Sequence, residues 1–187
     1  MRHLSMQIEK TSLNIPVVDL YWQLQKHPEF WNENTARTSS ENSPHYRLDD
    51  IWARYAEDLS QAQVPHKAKW YPVAETIPHI RKYAEFLQEV FQYEHLGGVL
   101  ITRIPPGGEC KGHIDYGWHA EHYDKFALQI TSAPGQYFWV EDKKLITMPG
   151  DVYTFDNSKM HGVINHSCYE RITMIICMSN VDPLNKQ

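Results

Sequence analysis

Residues 99–115 read VLITRIPPGGECKGHID, and the prediction of the fold starts from this stretch. It begins with an apolar, alternating run over 99–104, which is typical of a strand. The Pro-Pro-Gly-Gly sequence at 105–108 then indicates a turn. His113 and Asp115 follow two residues apart, and residues at this spacing in an extended segment project to the same side. Both side chains can therefore face one ligand.

Six more short β-like runs follow this stretch, separated by turn residues such as Pro149-Gly150. Many short strands at this spacing are typical of a sandwich or a jelly roll. We therefore predict a mainly β protein with flanking helices that cover one outer face. The further runs are 126–131, 136–140, 144–147, 152–155, 161–165 and 171–178.

Two helices are predicted in the N-terminal half. Residues 15–25 carry closely spaced apolar side chains. Over 76–93 the apolar residues recur every three or four positions, and Pro78 falls in the first turn. We expect Gly97 and Gly98 to break the chain after this second helix.

The N-terminal segments between these helices are harder to assign. Residues 32–50 are rich in Asn, Ser, Thr and charged residues and are predicted to form a loop. The pattern of 51–55 fits either a strand or a helical turn. We expect one domain over 1–187, in which 1–98 forms a helical and loop support and 99–178 forms the jelly-roll core that carries the candidate site.

The composition excludes several classes of protein. An apolar content of 42% and a charged content of 22% are those of a soluble globular chain. The net charge is −5 and no basic stripe is present, so nucleic acid is a disfavoured partner. Cys110, Cys168 and Cys177 show no Cys-x-x-Cys spacing, which argues against a disulfide framework or structural zinc and favours the cytoplasm. Residues 1–7 lack the apolar core of a secretory signal, no membrane span is expected, and nothing indicates an oligomeric state.

The candidate metal site combines four side chains. A His followed two residues later by an acid occurs four times in the chain, against roughly one expected by chance, so the dyad alone is not evidence. His113 and Asp115 are selected because they follow a strand and a turn, and because His161 and Arg171 each open a later apolar run. Two His and one carboxylate form the ligand set of Fe(II) oxygenases, which leaves metal positions free for an organic co-substrate and dioxygen. Arg171 is the candidate anchor for a carboxylate of that co-substrate.

Each of these residues also has a structural interpretation. His113 and Asp115 are compatible with an ordinary surface pair after a loop. His166 is the alternative to His161 as a ligand, although the ten-residue spacing to Arg171 favours His161. A structural Asp or Glu is the alternative partner of Arg171, because a buried charge needs an anionic partner.

Two more histidines follow the first ligands. His119 and His122 can form another metal site with Glu121 or Asp124. Our preferred interpretation is that both line the mouth of the cavity or face solvent.

The candidate substrate contacts are three residues near the ligands. Tyr116 and Trp118 are close enough in sequence to the ligands to contact a substrate. Arg103 lies on the strand before the metal loop, where it holds either a substrate carboxylate or a stabilising salt bridge.

The chain resembles a known group of enzymes in two places. Residues 148–165, MPGDVYTFDNSKMHGVIN, are closed by Glu-Arg-Ile at 170–172. Upstream, Arg-Ile-Pro-Pro-Gly-Gly at 103–108 precedes His-Ile-Asp at 113–115. Together these motifs resemble the aspartyl/asparaginyl β-hydroxylase-like 2-oxoglutarate/Fe(II) oxygenases over about 99–178. The fold that this resemblance implies is a double-stranded β-helix, a cupin-like jelly roll.

The resemblance implies roles for individual residues. His113, Asp115 and His161 correspond to iron ligands, and Arg171 corresponds to the residue that binds the distal carboxylate of 2-oxoglutarate. Lys125 stands where the family supplies a second basic residue near this co-substrate. The best-known animal members lack the acidic ligand, whereas this chain has Asp115 and so follows the general oxygenase pattern.

The resemblance also implies the reaction. Fe(II), 2-oxoglutarate and O2 are the expected cofactors, and hydroxylation of a C–H bond is the usual outcome. We predict a 2-oxoglutarate/Fe(II)-dependent dioxygenase that hydroxylates a small molecule such as an amino acid, or an Asp/Asn-type residue in a peptide or protein. The alternative is a non-catalytic jelly-roll module that binds a metal or a small organic acid. Oxidation of a nucleobase by the same chemistry is disfavoured by the acidic charge balance.

Overall fold

The computed structural model describes residues 7–185. Eleven strands in this part of the chain form two antiparallel sheets. Residues 1–7, which are predicted to lack a secretory signal, lie almost wholly outside the described residues. No helix within the described residues is both long and apolar enough to span a bilayer. The strands are β1 Ile8–Asn14, β2 Asp49–Ala56, β3 Ala68–Trp70, β4 His95–Ile104, β5 Glu109–His113, β6 Asp124–Gln129, β7 Gln136–Val140, β8 Lys143–Leu145, β9 Asp151–Phe155, β10 His161–Asn165 and β11 Arg171–Ser179.

The two sheets form the predicted jelly roll. The larger sheet has seven strands in the order β1-β9-β6-β11-β4-β2-β3, and the smaller has four in the order β5-β10-β7-β8. All the pairings between strands are antiparallel. The mainly β, cupin-like fold is therefore confirmed.

The alternation of side chains along β11 separates the core from the site. Ile172 and Met174 point to the outer face of the larger sheet and join the main hydrophobic cluster. Thr173 and Ile175 point to the opposite face and line an internal cavity. Since neighbouring residues of a strand face opposite sides, one strand supplies both the core and the wall of the site.

The helices cover the outer face of the larger sheet. Leu20 and Leu24 of one helix and Ile80 and Leu87 of another are fully buried in the same hydrophobic cluster as β11. The two helices predicted over 15–25 and 76–93 are therefore present, with somewhat shorter bounds. The α-helices are α1 Val18–Lys26, α2 Val73–Thr76, α3 Pro78–Val90 and α4 Trp118–His122.

Residues 1–98 were expected to form helices and loops, but they also contain strands. β1, β2 and β3 come from this part of the chain and extend the larger sheet, and 51–55 proves to be strand. The predicted break at Gly97 and Gly98 is wrong, because both lie inside β4. A Cβ at Gly97 would lie 2.7 Å from the ring of Tyr123. The glycines thus make room for aromatic rings against the strand instead of ending a helix.

Candidate metal centre

β5 and β10 bring the two candidate histidines together across about 48 residues of sequence. His113 ends β5, His161 begins β10, and the two residues pair directly in the antiparallel register. Asp115 lies just beyond β5, where its backbone N–H donates to the carbonyl of Asn157 at 3.0 Å. Donor atoms of His113, Asp115 and His161 all lie within 4.8 Å of one another. The three side chains could therefore bind one metal ion.

The orientation of both histidines is set by the backbone. Nδ1 of His113 lies 2.8 Å from the carbonyl of Lys111, and Nδ1 of His161 lies 2.9 Å from the carbonyl of Lys159. In each case the acceptor is two residues earlier in the chain. A proton on Nδ1 leaves Nε2 as the ligand atom, which is how ligand histidines are commonly held.

The charges at the centre are strongly coupled. Burial opposes ionisation of Asp115, but Lys125 Nζ at 3.2 Å and His113 outweigh it and hold the pKa of Asp115 well below its usual range. Burial likewise opposes protonation of His113, but hydrogen bonds with Asp115 and Cys110 raise its pKa to about 10. Burial lowers the pKa of His161. Without a metal, a charged His113 therefore pairs with Asp115 while His161 stays neutral.

An internal cavity of about 100 Å³ lies between the sheets beside these three residues. Tyr153, one of its lining residues, interacts with the guanidinium of Arg171. Arg171 is fully buried, and its Nη2 donates to Thr147 Oγ1 at 3.2 Å. Its Nε and Nη1 have no hydrogen-bond partner, and no ion pair with a carboxylate of residues 7–185 is present. The structural Asp or Glu considered for Arg171 is thus not found in this part of the chain.

The residues at the site fit Fe(II) and 2-oxoglutarate. Two neutral imidazole Nε2 atoms and one carboxylate match the ligand preference of Fe(II). The unpaired guanidinium of Arg171 matches a carboxylate, because an Arg fork binds carboxylates bidentately. The three candidate metal ligands line the cavity, and Arg171 contacts Tyr153 of its wall.

Lys125 lies at the metal end of this cavity. Its strand neighbour on β11 is Cys177, six residues from Arg171 on the same strand. Its ammonium group pairs with Asp115 and lines the cavity wall. The co-substrate role of Lys125 stays a prediction, and any such contact would be made next to Asp115.

The three predicted substrate contacts separate into two groups. Tyr116 and Trp118 line a second cavity, which also includes Asp115 and Lys125. Arg103 pairs with Asp49 at 2.8 Å and stacks on a tryptophan, and it is not among the residues that line the first cavity. For Arg103 the structure shows the salt-bridge alternative.

The other candidate histidines do not join the three-residue cluster. His166 is exposed at the turn after β10, so His161 is the histidine that faces Asp115. Nε2 of His122 lies 2.9 Å from the carbonyl of Val181, and His119 lines the second cavity. No second cluster built on His119 and His122 occurs among the described residues.

Two cavity residues were not identified from sequence. Arg37 and His45 both line the first cavity, although they come from the polar segment 32–50. Arg37 is anchored by the fully buried Asp50, with Nε to Oδ2 at 2.5 Å. Burial and the charge of Arg37 lower the pKa of His45 to about 2, and its ring centroid lies 5.1 Å from that of His113. The polar composition of residues 32–50 indicated only a loop.

Solved structures of similar fold were compared with the chain. A prolyl hydroxylase from Trichoplax adhaerens, in complex with a hypoxia inducible factor peptide fragment, has a TM-score of 0.62 at 13% identity and covers 98% of this chain and 89% of its own. A 2OG-Fe(II) oxygenase family protein from Burkholderia pseudomallei has a TM-score of 0.57 at 15% identity, with coverages of 76% and 73%. A viral collagen prolyl hydroxylase from Paramecium bursaria Chlorella virus-1 has a TM-score of 0.55 at 12% identity, with coverages of 95% and 98%. No curated protein sequence matches the chain.

The jelly roll and its His-Asp-His cluster define a protein of the 2-oxoglutarate/Fe(II) oxygenase class. The sequence profile of aspartyl/asparaginyl β-hydroxylase matches residues 20–180, which is most of the chain. The chain therefore belongs to the aspartyl/asparaginyl β-hydroxylase family and is a hydroxylase that uses Fe(II), 2-oxoglutarate and O2. Together these cofactors supply the oxidising power that converts a C–H bond to C–OH. Family membership also sets aside the non-catalytic alternative.

The protein's own residues contribute position and electrostatics. The backbone carbonyls of Lys111 and Lys159 fix the two imidazoles, so the ligand atoms need little reorganisation. Phe138 and Phe155 line the cavity beside His161 and make this part of its wall apolar. Arg171 is fully buried, and a charge interacts with an ionic partner more strongly in such surroundings than in water.

Proposed function

We propose that His113, Asp115 and His161 hold Fe(II) and that Arg171 binds the distal carboxylate of 2-oxoglutarate. The single observation that carries this proposal is a cluster of three candidate ligands in one cavity, together with a fully buried guanidinium that contacts Tyr153 of the cavity wall and whose Nε and Nη1 have no hydrogen-bond partner. An unsatisfied buried charge is costly, so it is expected where a ligand completes it.

We further propose that the substrate is an amino acid or an Asp/Asn-type residue of a peptide or protein. The family to which the chain belongs supports this class. The Trichoplax prolyl hydroxylase, whose structure contains a peptide, supports a peptide or protein over other macromolecules. The negative net charge of this chain is unfavourable for a nucleic-acid substrate.

The test is formation of succinate from 2-oxoglutarate by the Fe(II)-loaded protein in air. The wild-type protein should form succinate, and His161→Ala should bind no Fe(II) and form none. His166→Ala is the matched control, because His166 is exposed on the following turn and should keep both properties. Retained Fe(II) binding in His161→Ala would remove His161 from the ligand set.

The substrate is then sought among free amino acids and peptides that contain one Asp or Asn. A substrate should raise succinate formation and gain the mass of one oxygen atom. A panel in which no member gains oxygen, while succinate still forms, would contradict the proposed substrate class and leave the metal site intact.

A further inference from the structure

A second cavity of about 180 Å³ adjoins the metal centre. We call it the substrate-side cavity, and its walls beyond the metal region are formed by Tyr55, Gln63, Trp118 and His119, among others. It shares only Asp115 and Lys125 with the first cavity. The two cavities therefore meet at Asp115. Tyr153, which lines the first cavity, contacts Arg171.

The walls of the substrate-side cavity are held rigidly. The ring centroid of His119 lies 5.0 Å from that of Tyr55 and 4.6 Å from that of Tyr123. Gly98 allows this packing, because a Cβ there would lie 3.0 Å from the Tyr55 ring. Trp118 Nε1 donates to the carbonyl of Ala62 at 3.0 Å, which ties α4 to the loop that carries Gln63. A ligand would thus meet preformed walls.

The walls of the substrate-side cavity carry several hydrogen-bond donors and one carboxylate. Nε2 of His119 is buried and has no hydrogen-bond partner, and burial holds the pKa of His119 well below its usual range. A neutral imidazole can present an N–H at this atom. Tyr55, Gln63 and Lys125 are also lining residues, and each side chain carries a hydrogen-bond donor. The one carboxylate in the lining is Asp115, which the proposed metal would engage.

We propose that the substrate-side cavity binds a carboxylate of the primary substrate, with Tyr55, Gln63 and His119 as specificity-determining residues. Several donors around a small space, beside an acid that is occupied by a metal, favour an anion. The volume suits one small group of a substrate and not a whole ligand. This inference rests on the proposed function, because it places the substrate next to the same metal ligands.

The probe for the test is acetyl-aspartyl amide, whose only charge is one carboxylate. Acetyl-asparaginyl amide is its neutral counterpart of the same shape. Protein loaded with Mn(II), saturated with 2-oxoglutarate and kept free of oxygen is titrated with each probe, and the paramagnetic relaxation of the probe protons is measured by NMR. We expect saturable relaxation by the aspartyl probe and an affinity about tenfold weaker for the asparaginyl probe.

Two variants test the named residues. Gln63→Leu and His119→Phe should each weaken the aspartyl probe about tenfold while 2-oxoglutarate affinity stays unchanged. Gln61→Leu is the matched control, since Gln61 is exposed two residues away and is not a lining residue. Gln63 is exposed in a loop, so its variant keeps the test valid if His119→Phe does not fold.

Three results would overturn the inference while leaving the proposed function in place. These are equal affinity for the two probes, binding of the aspartyl probe only when 2-oxoglutarate is left out, and identical behaviour of Gln63→Leu and Gln61→Leu. A Mn(II)-loaded protein that fails to bind 2-oxoglutarate would instead overturn the proposed function, and this inference with it.

Discussion

Arg171 carries a buried positive charge that the residues around it leave largely unpaired. Its contacts are a hydroxyl of Thr147 at 3.2 Å and the phenol of Tyr153. Burial lowers the pKa of its guanidinium, which shows that the surroundings disfavour the charge. A side chain selected for stability would not be placed in this way, because replacing a buried charge by an apolar group is often neutral or stabilising.

Arg171→Met should therefore separate binding from stability. We expect the free energy of unfolding in urea to stay the same or to rise by about 1 kcal/mol, since an unpaired charge leaves the core. The dissociation constant of 2-oxoglutarate, measured by calorimetry on the Mn(II)-loaded protein, should rise about 100-fold, the loss of a charge-assisted bidentate contact. Reduced stability with unchanged affinity would make Arg171 a structural residue.

His113 should release a proton when the metal binds. Hydrogen bonds with Asp115 and Cys110 outweigh burial and raise its pKa from 6.5 to about 10, so the imidazole is protonated at pH 8 in the metal-free protein. A metal ligand must be unprotonated, so each bound ion should displace about one proton at this pH. Calorimetric titration with Mn(II) in two buffers of different ionisation enthalpy measures the number released.

Protonation of His113 also determines how the stability of the metal-free protein changes with pH. The pKa of His113 is higher in the folded protein, so the stabilisation of the metal-free protein is complete below pH 6.5 and is lost as the pH rises to about 10. Metal affinity should rise over the same window. Cys110→Ala keeps Asp115 in place and removes one hydrogen bond that raises the pKa of His113, so proton release should end at a lower pH. An unchanged pH dependence in this variant would contradict the account.

At the scale of elements, β4 depends on two glycines for its contacts with the aromatic rings. Gly97→Ala would place a Cβ 2.7 Å from Cε1 of Tyr123. The ring must shift, and the free energy of unfolding should fall by about 1–3 kcal/mol, as overpacked cores show. Urea denaturation checks this value. Gly97→Ala should cost less free energy of unfolding in a Tyr123→Leu background than in the wild-type protein. An equal cost in both backgrounds would place the strain elsewhere.

The buried strands were predictable because each carries a clear apolar pattern. β11 and β4 are buried along nearly their whole length, and their sequences are nearly continuous apolar runs. β1 and β5 were missed because they are edge strands with many exposed polar residues, so only a distant partner shows that they are strands. The glycine pair was misread because the ring that needs its space is about 25 residues away.

The candidate site likewise has residues that local sequence predicts and residues that depend on distant contacts. The two candidate ligands on β5 and just beyond it are encoded by local spacing, and the pairing of β5 with β10 adds the third candidate, His161. Arg37 is held at the cavity by contacts with Asp50 on β2 and with Thr102 on β4, and His45 in turn contacts Arg37. Those contacts exist only after the sheet has formed, so the polar sequence around Arg37 gives no indication of them.

At the scale of the whole molecule, ligands should raise the thermal stability. A ligand that binds only the folded chain at 100 times its dissociation constant adds about 2.7 kcal/mol. For a domain of this size that corresponds to a rise in Tm of about 5–10 °C. Scanning calorimetry of the Mn(II)-loaded protein with 2-oxoglutarate measures it. Arg171→Met should lose the rise in Tm caused by 2-oxoglutarate and keep the rise caused by Mn(II). If 2-oxoglutarate raises the Tm of Arg171→Met as much as that of the wild-type protein, Arg171 is not the anchor.

The position of β11 affects how the protein is made. It is the last strand in the sequence, yet it is the fourth of seven in the larger sheet, between β6 and β4. Until residues 171–179 have left the ribosome, the nascent chain holds two half-sheets with open edges. The larger sheet can therefore close only after residues 171–179 have left the ribosome. A premature stop codon anywhere before residue 171 would yield an aggregation-prone fragment and no functional shorter form.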